Sequence, residues 1–388
     1  MHLLIPFAST RSPACLDALT RLHLPNLKRL LAQLAPGSSD AGDAHSLSAP
    51  HERAIAQALG LPAQDGQIAF AAHCAADHSA VRIPDRAASA QATPPKVQTD
   101  AAWAFVTLCH WQMGQDHVRM LDPSNLQLST EHAQLLRQAM QPYFAEDGIE
   151  LQGLCMPGAM GQPAALSWLA QGELFRDMAC ASLDRVSGRD LSDWMPQGPG
   201  AKVVRRLQSE MQMLLYTHPV NEERQLSGLL PVNSFWVSGC GLLPLRAPFD
   251  TSGRTDLKAP PFDRPTGPTP SRGIEGSGRT DLTAPPPVAA GRTVQSDRDG
   301  GLTVEHSLRR AALADDAPAY VAAWQQIDAI PLQRMIESLR QGEDVRLSLC
   351  GERNVAHWSR PPAGLQAKAG QWLRGLRGPT VQQILESL

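Results

Sequence analysis

The chain reads as an α/β protein with a mostly parallel sheet covered by helices. Three observations predict this. Short apolar, β-prone runs recur along the 388 residues, at 2–8, 103–109, 149–154, 233–238 and 345–350. Helical patterns with apolar residues at three- and four-residue steps separate many of these runs. Strands alternating with helices favour a parallel sheet covered on both faces. The apolar fraction of 43% is ordinary for a globular chain, and the length suits two domains or one large split domain.

Residues 2–8 read as a first strand. A helix opens at Leu24-Pro25, with Leu27, Leu30, Leu31 and Leu34 on one face. Ser48 is placed to N-cap a second helix and Gly60 to stop it. The Ala-, Pro- and Gln-rich stretch 79–100 reads as a loop. Trp103 to Cys109 is a strand, and Val118 to Leu121 is expected to pair with it. Ser129 caps a helix to about residue 140, with Ala133, Leu136 and Met140 inward. Asp147-Gly148 turns into a strand over 149–154. The strongest helical pattern spans 200–216. Val203, Val204, Leu207, Met211, Leu214 and Leu215 lie on one side, and Lys202, Arg205, Gln208, Ser209 and Gln212 on the other. His218-Pro219 ends it. Asn233 to Ser238 is a strand leading to Gly239-Cys240-Gly241. After Leu302, Asp316 caps a helix bearing Tyr320, Val321, Trp324 and Ile327. A further helix places Leu332, Met335, Ile336 and Leu339 inside. Val345 to Cys350 is a strand, and 380–388 a final helix.

Residues 244–300 are Pro, Gly, Ser, Thr and charge. Ser252 to Leu257 (SGRTDL) returns as Ser277 to Leu282, each copy followed by a Pro-Pro pair. Such a composition buries too little surface to offset ordering entropy, so a disordered insert is expected. The core is then 1–243 with 301–388, within which 100–243 is a candidate sub-domain.

A net charge of −3 and no basic run argue against nucleic-acid binding. No stretch approaches the ~20 apolar residues that span a bilayer, so no membrane partner is expected. The start, Met1 to Phe7, has no basic lead-in and reads as a buried strand rather than a signal peptide. Seven scattered cysteines with no CxxC pair suit reduced thiols, hence a cytoplasmic location.

The segment 183–241 resembles the archaeal-type cofactor-independent phosphoglycerate mutases, which are similar to alkaline phosphatases. Leu183-Asp184-Arg185-Val186-Ser187-Gly188-Arg189 stands where that family has Pro-His-Asp-Ile-Ser-Gly-Lys. Met195-Pro196-Gln197-Gly198 follows, then the 200–216 helix. Next come His218-Pro219-Val220-Asn221-Glu222-Glu223-Arg224, Gly228 to Asn233, and Trp236-Val237-Ser238-Gly239-Cys240-Gly241, all in family order and spacing. Ser129 to Ala133 and the run 303–354 resemble it more loosely. The chain is also similar to bacterial proteins labelled RpfE-type regulatory proteins.

The resemblance implies two divalent metals, manganese, magnesium or zinc, held by Asp and His and activating a serine for phosphoryl transfer. Those ligand motifs are missing. The first strand ends Ile5-Pro6-Phe7-Ala8-Ser9, without an acid. The Asp-x-x-x-His-x-Gly-Asp stretch is replaced by Arg310 to Asp316, and a late Asp-His by Gly351-Glu352-Arg353-Asn354. Arg353 would set a fixed positive charge where a cation sits. The expectation is a non-catalytic descendant with a binding or regulatory role and no metal cofactor. The alternatives are an active mutase using relocated ligands (His73, His78, Asp315, Asp316, Glu352) and a partner-binding scaffold working through 244–300.

The anion- or phosphate-binding candidates are His218, Asn221, Arg224, Asn233, Arg185 and Arg189, with Arg205 and Arg206 beside them. Two readings stand. Arg224 pairs a phosphate or carboxylate beside His218, or Asn221, His218 and Arg224 form a structural corner. The expected partner is a phosphorylated small molecule or a protein. Gly239-Cys240-Gly241 reads as a tight turn or a weak phosphate cradle. His73, Cys74, Asp77 and His78 have metal-ligand residue types in an Ala-rich stretch without strong helix ends, and Cys109, His110 and His117 make no stronger metal-site candidate. Trp103, Trp168, Trp194, Trp236 and Trp324 read as core.

Overall fold

The computed structural model describes residues 1–76, 82–83, 100–155, 165–243, 292–294, 301–361 and 379–388. Residues 1–243 with 290–388 cluster as one compact unit. Its strands are β1 (His2–Ile5), β2 (Ala35–Ala41), β3 (Arg82–Ile83), β4 (Trp103–Cys109), β5 (Trp111–Met113), β6 (Val118–Met120), β7 (Glu150–Cys155), β8 (Ser167–Gln171), β9 (Ser234–Gly241), β10 (Arg292–Val294), β11 (Leu302–Val304), β12 (Arg346–Cys350) and β13 (Asn354–Ser359). Its helices are α1 (Pro13–Arg21), α2 (Pro25–Gln33), α3 (Pro50–Leu59), α4 (Phe70–Ala76), α5 (Thr130–Glu146), α6 (Leu183–Val186), α7 (Ala201–Tyr216), α8 (Pro219–Leu226), α9 (Ser307–Leu313), α10 (Ala317–Ile327), α11 (Gln333–Arg340) and α12 (Val381–Glu386).

One sheet has the order β10-β11-β1-β12-β13-β2. Its centre is parallel: β1 pairs in parallel with β11 and with β12. Antiparallel strands flank that centre. The mixed α/β architecture with a helix-covered parallel centre is thus present. A second sheet, β3-β7-β8-β4-β9, is antiparallel throughout. Nothing in the apolar runs distinguished it, because strands buried on both faces lack alternation whatever their direction.

The layers follow from side-chain alternation. Leu3, Ile5, Leu347 and Leu349 face a cluster built with α1, α2, α10, α11 and α12. Leu4, Cys350 and Val355 face the other way, onto α3, α4 and Trp103 and Phe105 of β4. The opposite face of β4, with Ala104, Val106 and Leu108, packs on α5 and α7. The five tryptophans read as core, at 103, 168, 194, 236 and 324, are all buried.

Several local expectations are corrected. The N-cap of α3 is Ala49, with the Glu52 carboxylate accepting from its N–H at 2.8 Å. Ser48 instead accepts from the Gly66 N–H. Val118–Met120 pairs with Trp111–Met113, because β8 and β9 already occupy both edges of β4. Helix α5 runs on to Glu146 with Pro142 inside it. Gln208 is buried and donates to the Phe235 carbonyl, so it leaves the polar side of α7. Gly239-Cys240-Gly241 belongs to β9, beside a register shift against β4. Gly239 has φ +63°, and a Cβ there would sit 2.8 Å from the Phe105 ring. The loop at 79–100 and the disordered insert at 244–300 lie outside the described residues. The exceptions are residue 100, and 82–83 and 292–294, which join sheets through β7 and β11.

Candidate functional site

Ligands of parallel α/β sheets gather beyond the carboxyl ends of the strands. Here β1 ends in Phe7, Ala8, Ser9 and Thr10, β11 in Glu305, and β12 in Gly351 and Glu352. Phe7 has φ +57°, a left-handed conformation uncommon for a bulky residue. The Tyr320 hydroxyl donates to the Phe7 carbonyl at 2.7 Å, and the Ala8 N–H donates to the Cys350 carbonyl at 2.8 Å. The Phe7 ring lies 5.7 Å from that of His51, at the start of α3.

Around this corner stands a buried ionic network. Arg309, on α9 just beyond β11, is 6% exposed, and Asp184, on α6, is 4% exposed. Arg309 Nε donates to Asp184 Oδ1 at 2.5 Å. Its two terminal nitrogens fork onto Asp122 at 2.7 and 3.3 Å. His51 Nε2 lies 3.1 Å from Asp184 Oδ2, close enough for an ion pair although its angle is not that of a hydrogen bond. Burial alone would raise the Asp184 carboxyl, but Arg309 and His51 outweigh it and hold the acid well below the usual carboxylate range. The same pairing raises Arg309 against the effect of its burial. Glu52 is shifted up, by burial first and Asp184 among its neighbours.

A second arginine group adjoins it through Asp184's neighbour in the chain. Arg185 is 2% exposed. It donates to the carbonyls of Glu352 at 2.9 Å and Asp43 at 3.4 Å, and lies 3.7 Å from the Glu352 carboxylate. Its Nε has no partner among the described residues. Burial pulls its guanidinium down to about 10, which leaves it charged at neutral pH. Arg189 bonds Glu352 at 2.9 Å and stacks 5.4 Å over Trp194. Arg53 pairs with Asp40 at 2.8 Å. Arg53, Arg185 and Arg189 thus stand among the carboxylates of Asp40, Glu52 and Glu352.

The other sequence candidates go elsewhere. His218 caps α8, its Nδ1 accepting from the Val220 N–H, and burial lowers its pKa. Asn221 donates to the Leu215 and Val232 carbonyls and accepts from the Val232 N–H. Arg224 is fully buried and donates to the Leu230 and Leu126 carbonyls. Asn233 exchanges hydrogen bonds with both backbone groups of Trp111. None of these bonds reaches Arg185 or Arg189. Arg206 pairs with Asp147 and Glu210, and Arg205 is exposed. Arg353, expected as the fixed cation, has an exposed side chain. The buried cation is Arg309, which the sequence reading missed. Its signal was an arginine just inside the first turn after a buried strand.

The donor set does not suit a divalent metal pair. Asp122 and Asp184 are both bound to Arg309, and Glu352 is bound to Arg189. Of the relocated ligands considered, Asp315 takes the Ser12 hydroxyl, Asp316 caps α10, and His73 lies on α4. His78 and Asp77 lie outside the described residues. His110 bonds the Pro231 carbonyl, and His117 bonds Asp116. Among the described residues no group of three or more His, Cys, Asp or Glu is placed to hold a metal ion. Nor is any helix among them long and apolar enough to cross a membrane.

No family model matches the chain. Three curated relatives match part of it. The 2,3-bisphosphoglycerate-independent phosphoglycerate mutase of Methanothrix thermoacetophila is 35% identical over 69 residues, 18% of each chain. That of Methanosarcina barkeri is 25% identical over 134 residues, 34% of this chain and 32% of the relative. A probable mutase of Geobacter sulfurreducens is 34% identical over 64 residues, 16% of each chain. The chain thus spans a third or less of the length of the curated relatives it matches. Among solved structures, the cofactor-independent phosphoglycerate mutase of Thermoplasma acidophilum aligns over 95% of this chain and 94% of its own, at 13% identity and a TM-score of 0.32. The PH0037 protein of Pyrococcus horikoshii aligns over 92% and 87%, at 11% identity and 0.40. In sequence, a part of this chain is similar to cofactor-independent phosphoglycerate mutases.

Proposed function

We propose that this is a non-catalytic, phosphoglycerate mutase-like protein with a binding or regulatory role, and that it binds a small phosphorylated anion at Arg185 and Arg189. One observation carries the reading: Asp122, Asp184 and Glu352, which gather at this corner, are each bound to an arginine, while Glu305 accepts from the Ser307 N–H. A guanidinium held between Asp122 and Asp184 does the neutralising work that a divalent cation would do, yet it cannot act as a Lewis acid. The gathering of Arg53, Arg185 and Arg189, with the Arg185 Nε unpartnered among the described residues, supports an anion there. Glu352 fills that role in the free protein. A phosphoryl group with several acceptor oxygens would compete for Arg189, which is the more exposed of the pair.

The test has two parts. In a coupled assay with added manganese and a metal-stripped control, the protein should convert no 3-phosphoglycerate. Metal-dependent turnover would overturn the non-catalytic reading. In a thermal-shift titration, 3-phosphoglycerate or inorganic phosphate should raise Tm, and Arg189→Ala should weaken binding about tenfold. No shift with either anion would sink the anion site. The repeated SGRTDL phrase favours a second reading, partner binding through 244–300. Deleting 244–289, which keeps β10, should abolish partner capture and leave anion binding unchanged.

A further inference from the structure

Cys180 and Cys240 are both buried, and their sulfurs lie 3.1 Å apart. That is inside ordinary sulfur–sulfur contact. Neither thiol takes part in the arginine site. The residues around them are held tightly. Ala179 exchanges backbone hydrogen bonds with Gln197, the Cys180 N–H donates to the Gly66 carbonyl, and the Ser182 N–H donates to Leu47. The Trp236 indole donates to the Ala181 carbonyl at 2.8 Å, tying this segment to β9, on which Cys240 sits. The backbone on both sides of the pair is therefore held in place.

We propose that Cys180 and Cys240 form a peroxide-oxidisable dithiol whose disulfide pins the segment leading into α6 onto β9. The chemistry balances. The Cys180 thiolate attacks one oxygen of hydrogen peroxide, the O–O bond breaks, and water leaves once the other oxygen gains a proton. The Cys180 sulfenic acid is then attacked by the Cys240 sulfur. The S–S bond forms, the S–O bond breaks, and the departing hydroxide takes the Cys240 proton to leave as a second water. Two thiols are oxidised and one peroxide is reduced to two waters. Cys180, 3% exposed against 0% for Cys240, takes the oxidant first. Burial and the adjoining Cys180 also push the Cys240 thiol well up, which keeps it protonated, leaves the first oxidation to Cys180 and slows the second step. Burial makes the reaction slow and the product hard to reduce. Cys180 lies four residues before Asp184, so the bond would tether the segment that carries both Asp184 and Arg185.

The full chain would be treated with hydrogen peroxide, unfolded in the presence of N-ethylmaleimide and digested without reductant. The expected result is a linked Cys180–Cys240 peptide pair, 2 Da lighter than the sum of its parts and lost on adding dithiothreitol. Cys180→Ser should abolish it, with circular dichroism confirming that the variant folds. Closing a loop of this length should also raise Tm by several degrees in the oxidised wild type. Recovery of both thiols as maleimide adducts would overturn the proposal. So would linkage of either cysteine to a different partner, or sulfinic acid at Cys180 without a cross-link. The wild-type map decides the matter even if the variant misfolds.

Discussion

Arg309 is bound on one side by the buried Asp184 and on the other by the half-buried Asp122. Removing one member of such a group leaves the others charged and unpaired, which costs about 3–5 kcal/mol. Arg309→Met should therefore lower the unfolding free energy by that amount in urea titrations. Adding Asp184→Asn to it should recover part of the loss, because one stranded charge disappears. An unchanged midpoint in Arg309→Met would mean that the network contributes nothing to stability. A second residue-scale effect concerns His2, on β1. Its Nε2 bonds the Ser348 hydroxyl at 2.8 Å, and that hydroxyl bonds His357 Nδ1 at 2.7 Å. Burial first, then His357, Arg346 and the N-terminus, lower His2 to about 4. A depressed folded pKa means that the unfolded chain binds the proton more readily. The stability from neutral His2 is thus fully present above about pH 6.5 and is lost as pH falls towards 4. The loss is up to about 3 kcal/mol. Denaturant midpoints at pH 7, 5.5 and 4 should show it, and His2→Gln should flatten the decline. Asp184, also held below its ordinary value, stabilises the fold above the ordinary carboxylate range and loses that contribution only as pH falls through and below it.

At the scale of elements, the phrase His218 to Arg224 builds a corner between α7, α8 and the approach to β9. Asn221 satisfies three backbone groups at once, two carbonyls and one N–H. Those groups are buried, so losing the amide strands them, at about 1–3 kcal/mol for the site as a whole. Asn221→Ala should destabilise the protein by about that much. It should leave phosphate affinity unchanged, since Asn221 bonds only backbone here. A parallel fall in phosphate affinity, measured by calorimetry on folded protein, would return Asn221 to the anion site. Helix α7 was legible because its buried residues Val204, Leu207, Met211 and Leu215 keep a helical step. Helix α8 was not, since eight residues with two acids and an arginine give little apolar period. β2, Ala35–Ala41, was missed for a related reason. It is a half-exposed edge of Pro, Gly and Ser, recognisable only by its pairing with β13.

For the whole molecule, chelation is the discriminating treatment. If Arg309 serves as the internal counter-ion, EDTA should leave Tm unchanged, and manganese at millimolar concentration should not raise it. A metal-dependent rise of several degrees would show a site that the described residues do not contain. The sequence by itself determined the α/β class, the core tryptophans, the stronger helices and the local likeness to phosphoglycerate mutases. Each of these is written in short-range period, composition or motif order. It also showed that β1 ends without an acid and that Glu352-Arg353 stands after β12 where the resemblance implies Asp-His. Only the tertiary structure decided what stands in their place. Asp122, Asp184 and Arg309 are separated by as many as 187 positions, and His51 meets Asp184 from a third part of the chain. No local pattern encodes such a meeting, because ion-pair partners are chosen by which strand ends the sheet order brings together. The antiparallel second sheet was hidden for the same reason. Strand direction is set by pairing, whereas burial, which the sequence does report, is the same for either direction.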